Sequence, residues 1–311
     1  MPETEPRTTM PERPPPPSAR LPDAPMRIEN PPVPEGINAP DRHRPLRDFF
    51  VQGTLALGVF ALCLLVLSAV AGLLAPRLPF SWEHRAAARF WQHAPASPEE
   101  TALHELVARV AHAMALPPDM PVTIHYWPDD CTINAAATLG GHIVVYRGLL
   151  RQMESEDELA ALLAHEIAHV QHRDVTRGFL RGIAAALLLA GVDSVSPVFS
   201  GIGTATTLSF SREQESQADA AAARATAALY GHTGGALALF SRLQAHMAHG
   251  MMDRLELARS HPDFPRRLQT VRTQSRQLGT PETGTLTPLP APLRALREAE
   301  NNCRPDELEW E

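Results

Sequence analysis

The chain has 311 residues, 44% of them hydrophobic and 20% charged, which is enough apolar material for a globular core. Its net charge of −7 gives no basic footprint for nucleic acid, so no nucleic-acid partner is expected. All 28 basic residues are arginine, and the absence of lysine excludes P-loop phosphate binding, Schiff-base chemistry and serine–lysine dyads. Three cysteines are too few for a disulfide framework, and at most Cys131 and Cys303 could pair, because Cys63 lies in an apolar run.

The N-terminal quarter of the chain divides into a polar segment and an apolar one. Residues 1–48 are rich in proline and poor in large apolar side chains, which predicts a disordered segment. Residues 49–75 contain no charged side chain. A helix needs about 20 consecutive, predominantly apolar residues to span the hydrocarbon core of a bilayer. The sequence therefore predicts one transmembrane helix at 49–75 and a linker at 76–96.

The arginines that flank this apolar segment bear on its orientation. They are closely spaced before it and more spread out after it: Arg42, Arg44 and Arg47, then Arg77, Arg85 and Arg89. By the positive-inside rule this imbalance favours a cytoplasmic N-terminus. The rest of the chain would then be periplasmic.

A globular domain is predicted over residues 97–278. It opens with a capping box at Ser97, and strand patterns follow at 122–127, 132–139 and 142–149. Gly140-Gly141 separates the last two strands as in a hairpin. We expect residues 141–148 to form an exposed edge strand to which a substrate peptide adds as one more strand. The residues assigned to substrate binding are Asn134, Gly141, Ile143 and Val145.

The most informative stretch is Ser155 to Arg177. Ser155 and Glu158 form a capping-box pattern, and apolar residues at helical spacing follow. His165 and His169 are four residues apart, so both imidazoles lie on one helix face and can reach one zinc ion at about 2.0–2.1 Å. Glu166 projects beside that face and can take a proton from a metal-bound water.

The following segment, residues 178–210, is apolar and low in charge, but its longest clean run is too short to span a bilayer. It is consistent with a helical hairpin packed on the domain or with one that dips into the membrane surface.

The sequence of residues 210–224 predicts a further helix that starts at Ser211. Glu215 suits the third zinc ligand, and Asp219 could accept the second ring N–H of a ligand histidine.

The last predicted elements are a helix at 234–248 and one that follows Ser260-His261-Pro262. His261 can be presented by a turn beside the metal. It could donate to the oxyanion, occupy the open coordination position as a latch, or cap the helix; the donor role is preferred at this stage. Residues 279–311 are expected to form a loosely packed, Pro-rich and acidic tail.

These motifs together resemble the HtpX-like and CAAX-prenyl-protease-related family of membrane-associated zinc metallopeptidases, the gluzincin family M48. The matching pieces occur in family order over 97–277: Asn134-Ala135-Ala136-Ala137, Gly141-His142-Ile143, Gly148-Leu149-Leu150, the HEIAH segment, Ser211-Arg212-x-x-Glu215-x-x-x-Asp219, and Ser-His-Pro with Arg267 and Leu268. This chain has one clear membrane span, whereas multi-spanning members have several, so single-span or soluble relatives are the better guide.

The resemblance implies zinc ligation by His165, His169 and Glu215, with Glu166 as general base, Asp219 behind the ligands and His261 near the active site. It implies one Zn²⁺ per chain, residence in a bacterial inner membrane, and a role in the quality control of membrane or envelope proteins.

We therefore expect an α+β fold: a mostly helical zincin-type catalytic domain with a small mixed sheet, preceded by one transmembrane helix. The expected function is that of a membrane-anchored zinc metalloendopeptidase that binds a peptide as an added strand. The alternative is a zinc-stabilised, membrane-tethered chaperone or adaptor that binds extended segments without cleavage. Glu166 argues against it, because a pure binder needs no base. The oligomeric state does not follow from the sequence.

Overall fold

The computed structural model describes residues 45–91, 97–190, 210–248, 257, 261 and 263–298. The predictions for residues 1–44 and 299–311 lie outside these ranges. The chain divides into a unit of residues 1–53, of which the start of the first helix is described, and a unit of residues 54–311 that contains the other elements. The helices are α1 (Pro45–Leu74), α2 (Phe80–Ala87), α3 (Pro98–Ala113), α4 (Arg147–Leu150), α5 (Glu156–Gln171), α6 (Asp174–Ala190), α7 (Arg212–Tyr230), α8 (Gly234–Ala248), α9 (Phe264–Leu278) and α10 (Ala291–Glu298). The strands are β1 (Thr123–Trp127), β2 (Ala135–Ala137) and β3 (His142–Tyr146).

The mostly helical α+β fold predicted from the sequence is confirmed. In the described part of the chain, α1 is the one helix long and apolar enough to cross a membrane, with a candidate span of Leu46–Arg77. None of its most apolar window is buried against protein. Length and composition thus agree with the predicted transmembrane helix.

The linker predicted at 76–96 was wrong in part, because it contains α2. One face of α2 is buried: its residues Phe80 and Ala87 belong to the hydrophobic core. An eight-residue helix with few apolar side chains gives a weak periodic pattern, so only tertiary contacts reveal it.

The sheet has the strand order β1-β3-β2, with β1 parallel and β2 antiparallel to β3. The prediction that residues 141–148 form an exposed edge was therefore wrong: β3 is the central strand, and all five of its residues are buried. A central strand has both rows of backbone groups paired, so it cannot accept a further strand.

Gly140 and Gly141 form the turn between β2 and β3, as the hairpin prediction proposed. Both have positive φ, of 77° and 79°, where a side chain would be strained. A Cβ on Gly141 would clash with the carbonyl oxygen of Pro121. Gly141 therefore has a structural role in the turn, which replaces its predicted contact with substrate.

Helix α5 is the centre of the domain. Every residue from Glu156 to Val170 is buried, and the helix packs against α3, α7, α8 and β2. The Ser155 hydroxyl accepts the backbone N–H of Glu158 at 3.2 Å, as predicted. The Glu158 carboxylate, however, accepts the N–H of Glu154 and an arginine, so the reciprocal half of the capping box is not made.

Part of the predicted tail also packs on α5. The Thr287 N–H donates to the Asp157 carboxylate at 2.9 Å, and the Thr287 carbonyl accepts the N–H of Glu156. Leu289 and Leu293 are buried in the core. The packed domain therefore extends past residue 278 to include α10, because this segment covers the N-terminus of α5.

The apolar segment 178–210 is described only in part. Helix α6 runs to Ala190, whereas residues 191–209 lie outside the described ranges, and so does the predicted choice between a packed and a membrane-dipping hairpin.

Candidate active site

Two helices bring the predicted ligands together. Helix α5 carries His165 and His169 one turn apart, and α7 packs across it with Glu215. Ser211 and Gln214 form a complete capping box at the start of α7, which fixes where the helix begins. Glu215 and Asp219, four residues apart, consequently share the face that is turned toward α5.

The donor atoms have the spacing of a tetrahedral ion's ligands. The two Nε2 atoms of His165 and His169 are 3.2 Å apart, and the Glu215 carboxylate oxygens lie 3.6 Å from His165 Nε2 and 3.4 Å from His169 Nε2. A tetrahedral zinc with bonds of about 2.0–2.1 Å holds its ligands about 3.3–3.4 Å apart. The three side chains therefore fit one metal ion.

The chemistry of the donor set supports the same conclusion. Glu215 Oε2 is buried and makes no hydrogen bond with the described residues; His165 Nε2 lies 3.6 Å and an Arg267 guanidinium nitrogen 3.8 Å from it. A buried carboxylate oxygen without a donor is costly, and a cation would satisfy it. Two imidazoles and one carboxylate are an established zinc set.

Each ligand histidine has a carboxylate at its second ring nitrogen. His165 Nδ1 is 3.0 Å from Asp219 Oδ1, and His169 Nδ1 is 3.0 Å from Asp174 Oδ2. A metal-binding Nε2 leaves the proton on Nδ1, which then donates to the carboxylate and fixes the ring orientation. The contact proposed for Asp219 from the sequence is thus present, whereas Asp174 was missed.

The protein groups of the site have shifted pKa values. Burial and the Arg267 guanidinium lower the pKa of His165 to about 4, so its imidazole is neutral at pH 7. Burial opposes the charged form of His169 too, but hydrogen bonds with Asp174 and Glu215 outweigh it and raise its pKa to about 9. Burial alone would raise the pKa of Glu215, yet the neighbouring histidines hold it well below its usual range.

Glu166 lies beside the ligands with one oxygen held and one open. The Ala137 N–H of β2 donates to Glu166 Oε2 at 2.8 Å, which fixes the carboxylate. Glu166 Oε1 is buried and has no hydrogen-bond partner in the described part of the chain. A fixed carboxylate with one open oxygen next to a metal site can accept a proton.

His261 reaches the same group of atoms from the turn before α9. Its Nδ1 is 2.8 Å from Glu215 Oε1 and 3.2 Å from His165 Nε2, and its Nε2 is 3.8 Å from Glu166 Oε1. The possible ligand atoms of His165, His169, Glu215 and His261 all lie within 4.8 Å of one another. His261 therefore adds a fourth donor to the site.

Arg267 and Phe210 complete the site, and the sequence assigned neither a role. The buried Arg267 guanidinium makes two-pronged hydrogen bonds of 2.7–3.1 Å with the Asp219 carboxylate and lies over the Phe240 ring. Phe210 stacks on His169, with ring centroids 3.9 Å apart. Arg267 lies 48 residues after Asp219, so no local spacing connects them, although Arg267 did belong to the motifs that carry the resemblance.

The site is closed in this structure. His165, Glu166, His169 and His261 are each at most 1% exposed. Phe210 packs against His169 and against His261, with ring centroids 3.9 Å and 5.5 Å apart.

The predicted substrate-binding residues have separate outcomes. Ile143 and Val145 are fully buried in the core. Their predicted contact with substrate depended on β3 being an edge strand and was therefore wrong as well. Asn134 is fully buried, and neither atom of its amide has a hydrogen-bond partner among the described residues. Its role in binding a peptide backbone stays a prediction.

Comparison with known proteins agrees with this chemistry. The model of peptidase family M48 matches residues 97–275, more than half of the chain. The chain is 31% identical to the mitochondrial metalloendopeptidase OMA1 of Schizosaccharomyces pombe over 46% of this chain and 43% of the relative. It is 37% identical to the protease HtpX of Xanthomonas axonopodis pv. citri over 38% of this chain and 39% of the relative, and 44% identical to the beta-barrel assembly-enhancing protease of Yersinia pestis over 17% and 11%. The matches thus span less than half the length of these relatives. The chain belongs to peptidase family M48.

Proposed function

We propose that the protein is a zinc-dependent metalloendopeptidase, anchored by α1, that cleaves unfolded or misassembled membrane and envelope proteins. One observation carries the proposal: the donor atoms of His165, His169 and Glu215 are 3.2–3.6 Å apart, and the open oxygen of Glu166 lies beside them. This arrangement supplies both ligands and base for attack by water on a peptide bond.

Zinc, when bound, supplies a Lewis acid that polarises the scissile carbonyl and makes water more acidic. The chain supplies the proton transfers. Glu166 takes a proton from the attacking water at Oε1, because Oε2 is held by Ala137 N–H, and then passes it to the leaving amine. Asp219 and Asp174 keep the ring protons of His165 and His169 on Nδ1, so that both Nε2 atoms stay directed at the metal.

The peptide is proposed to add to β2, which takes the place of β3 in the strand-addition hypothesis. Asn134 and Thr138 bond to Tyr146 and His142 of β3. In an antiparallel ladder the alternate residues Ala135 and Ala137 direct their backbone groups to the other side. Because Ala137 N–H reaches Glu166, that side of β2 faces the catalytic base, and Ala135 supplies the remaining backbone groups for an added strand. All three residues of β2 are buried in this structure.

Binding of a substrate as a strand added to β2 favours unfolded chains. Backbone hydrogen bonds along β2 recognise any extended segment, and side-chain identity contributes little to them. The α1 anchor keeps the protease at a membrane surface. The arginines that flank the apolar segment 49–75 are more closely spaced before it than after it, which favours a periplasmic catalytic domain. These points support a single-pass protein of a bacterial inner membrane with a periplasmic catalytic domain.

The test uses the purified full-length chain in detergent and a reduced, unfolded protein as substrate. We expect cleavage that stops with a zinc chelator and returns with Zn²⁺, and about one zinc per chain. Glu215→Ala should lose both zinc and activity. Glu213→Ala, on the exposed part of α7, is the matched control and should keep both. Substrate binding without any cleavage by the zinc-loaded protein would support the chaperone alternative and overturn the proposal.

A further inference from the structure

Helix α2 has two different faces. The buried and half-buried residues Phe80, Glu83, His84 and Ala87 recur at helical spacing and face the domain. The opposite face is exposed and carries Trp82 and Arg85, at positions i and i+3, and the 3-10 turn Ala88–Phe90 that follows α2 adds the exposed Arg89. Trp82 is 62% exposed, and Phe90 at the end of the following turn is 50% exposed.

The inward face of α2 is fixed to the turn between β2 and β3. The Gly140 N–H donates to Glu83 Oε1 at 2.8 Å, and the Gly140 carbonyl oxygen is 2.7 Å from His84 Nδ1. Glu83 Oε2 also pairs with Arg173 at 2.8 Å and accepts the Thr176 hydroxyl at 2.7 Å. The polar groups on both sides of this contact are paired with each other, and breaking these pairs would be costly. They hold α2 in one orientation, so its outward face has a fixed direction.

The acidic and basic groups of α2 are separated between these faces. Glu83 is turned inward and neutralised by Arg173, whereas Arg85 and, in the following turn, Arg89 are both exposed. Arg77, just before α2, is exposed as well. The outward face is therefore cationic and aromatic, which suits an anionic surface with an apolar layer beneath it.

Chain length places this face beside the membrane that α1 crosses. The candidate span ends at Arg77, and Trp82 is five residues further on. Five residues reach at most about 18 Å when fully extended, and the headgroup layer is itself several ångströms deep. Tryptophan is enriched at this interface, and basic side chains there attract anionic lipids.

We propose that the exposed residues of α2 and of the turn that follows it, namely Trp82, Arg85, Arg89 and Phe90, dock on the anionic phospholipid headgroups of the membrane that α1 crosses. The inference rests on α1 as a membrane anchor and is independent of proteolysis. Since the inward face of α2 holds the Gly140 turn, lipid contact also fixes the direction in which the β2 edge faces relative to the bilayer.

The test measures tryptophan quenching in vesicles. The full-length chain, with Trp310→Phe in every protein to remove the tryptophan near the C-terminus, is reconstituted into phosphatidylcholine and phosphatidylglycerol vesicles. Two samples are compared: in one the phosphatidylcholine carries bromine close to its headgroup, and in the other the phosphatidylglycerol does. Helix α1 contains no tryptophan, so shallow bromine reports on residues outside the span. Flotation with the vesicles checks the anchoring by α1 separately.

We expect strong quenching that is largely lost in Trp82→Phe and retained in the control Trp127→Phe. Quenching that is the same in Trp82→Phe as in the parent would overturn the proposal. Each basic residue near an anionic surface favours anionic lipid by a factor of about five, so brominated phosphatidylglycerol should quench more than brominated phosphatidylcholine.

The charge contribution is tested by the double variant Arg85→Gln/Arg89→Gln. Its preference for brominated phosphatidylglycerol should fall clearly below that of the parent, because two of the three exposed arginines near the interface are removed and Arg77 remains. The control Arg272→Gln/Arg276→Gln removes the same charge from exposed positions of α9 and should keep the preference. Equal quenching by the two lipids in the parent protein, or an unchanged preference in the α2 variant, would contradict the assignment to anionic headgroups.

Discussion

His261 is the residue whose role the site geometry narrows most. Its Nδ1 lies 3.2 Å from His165 Nε2 and 2.8 Å from Glu215 Oε1, distances close to those between the three proposed ligands. The sequence favoured an oxyanion donor, but a nitrogen at ligand spacing better supports the latch, in which His261 occupies the position that water needs. The closed state of the site agrees with this interpretation.

We therefore predict that His261→Ala raises the basal cleavage of an unfolded substrate several-fold while zinc content stays the same. The rate follows the fraction of molecules with an open coordination position, which the alanine leaves free. Turnover and metal analysis of the purified variant check this. Lost turnover with zinc retained would instead assign the oxyanion role, and unchanged turnover would leave a helix cap.

Arg267 is predicted to be a stability residue of the site. Its guanidinium is buried against Asp219, and removing one partner of a buried ion pair typically costs about 3–5 kcal/mol. Arg267→Met should therefore lower the free energy of unfolding by about that amount, and Arg267→Met/Asp219→Asn should recover part of it. Denaturant unfolding is the measurement.

Arg266→Met, on the exposed side of the same turn of α9, is the control and should change stability little. A small effect of Arg267→Met, equal to that of the control, would show that Asp219 does not depend on its cation.

The sequence predicts contacts within a helix better than contacts between elements. His165 and His169, like Glu215 and Asp219, are four residues apart, so helical geometry alone puts each pair on one face. Asp174 is five residues after His169 and reaches it only because the chain reverses at Arg173, which has a φ of +61°. Arg267 depends on how α9 crosses α7, and no local pattern encodes that crossing.

At the scale of elements, β2 is the strand on which substrate binding depends in this account. Ala135→Pro removes the backbone N–H on the side of β2 away from β3, whereas the hydrogen bonds to β3 use the backbone groups of Asn134 and Thr138. Losing one hydrogen bond to a bound peptide costs about 1–1.5 kcal/mol. We predict a roughly ten-fold lower kcat/KM for long unfolded substrates, measured with zinc-loaded protein.

Ala135→Ser is the matched variant, because it keeps the N–H at nearly the same side-chain volume. It should cleave close to the parent rate. Equal rates for the proline and serine variants, both folded and zinc-loaded, would reject strand addition at β2.

The wrong prediction of β3 as an edge strand shows which features of a sheet a sequence pattern can and cannot predict. Residues 142–146 read His-Ile-Val-Val-Tyr, a nearly continuous apolar run, which is typical of a strand buried on both faces. The alternating pattern of a half-exposed edge is absent, so the central position of β3 was accessible from the sequence. The three-residue length of β2 was not, because strand ends depend on the partner strand.

For the whole molecule, the orientation of the chain in the membrane is the open structural prediction. A reporter enzyme belongs after Glu311, because fusion after Gly279 would remove the segment that packs on α5. With a cytoplasmic N-terminus, a periplasm-active phosphatase should be active there and a cytoplasm-active reporter silent. The reverse pattern would place the catalytic domain in the cytoplasm and contradict the orientation inferred from the flanking arginines.

The central claim is that Glu166 acts as the base beside a zinc held by other residues. The most direct measurement compares Glu166→Gln with the parent full-length chain for zinc content and for cleavage of an unfolded protein, with Glu213→Gln as the charge-matched control. We predict unchanged zinc and a loss of cleavage of at least about 10²-fold in Glu166→Gln, with the control like the parent. Cleavage near the parent rate by the zinc-loaded Glu166→Gln protein would contradict this account.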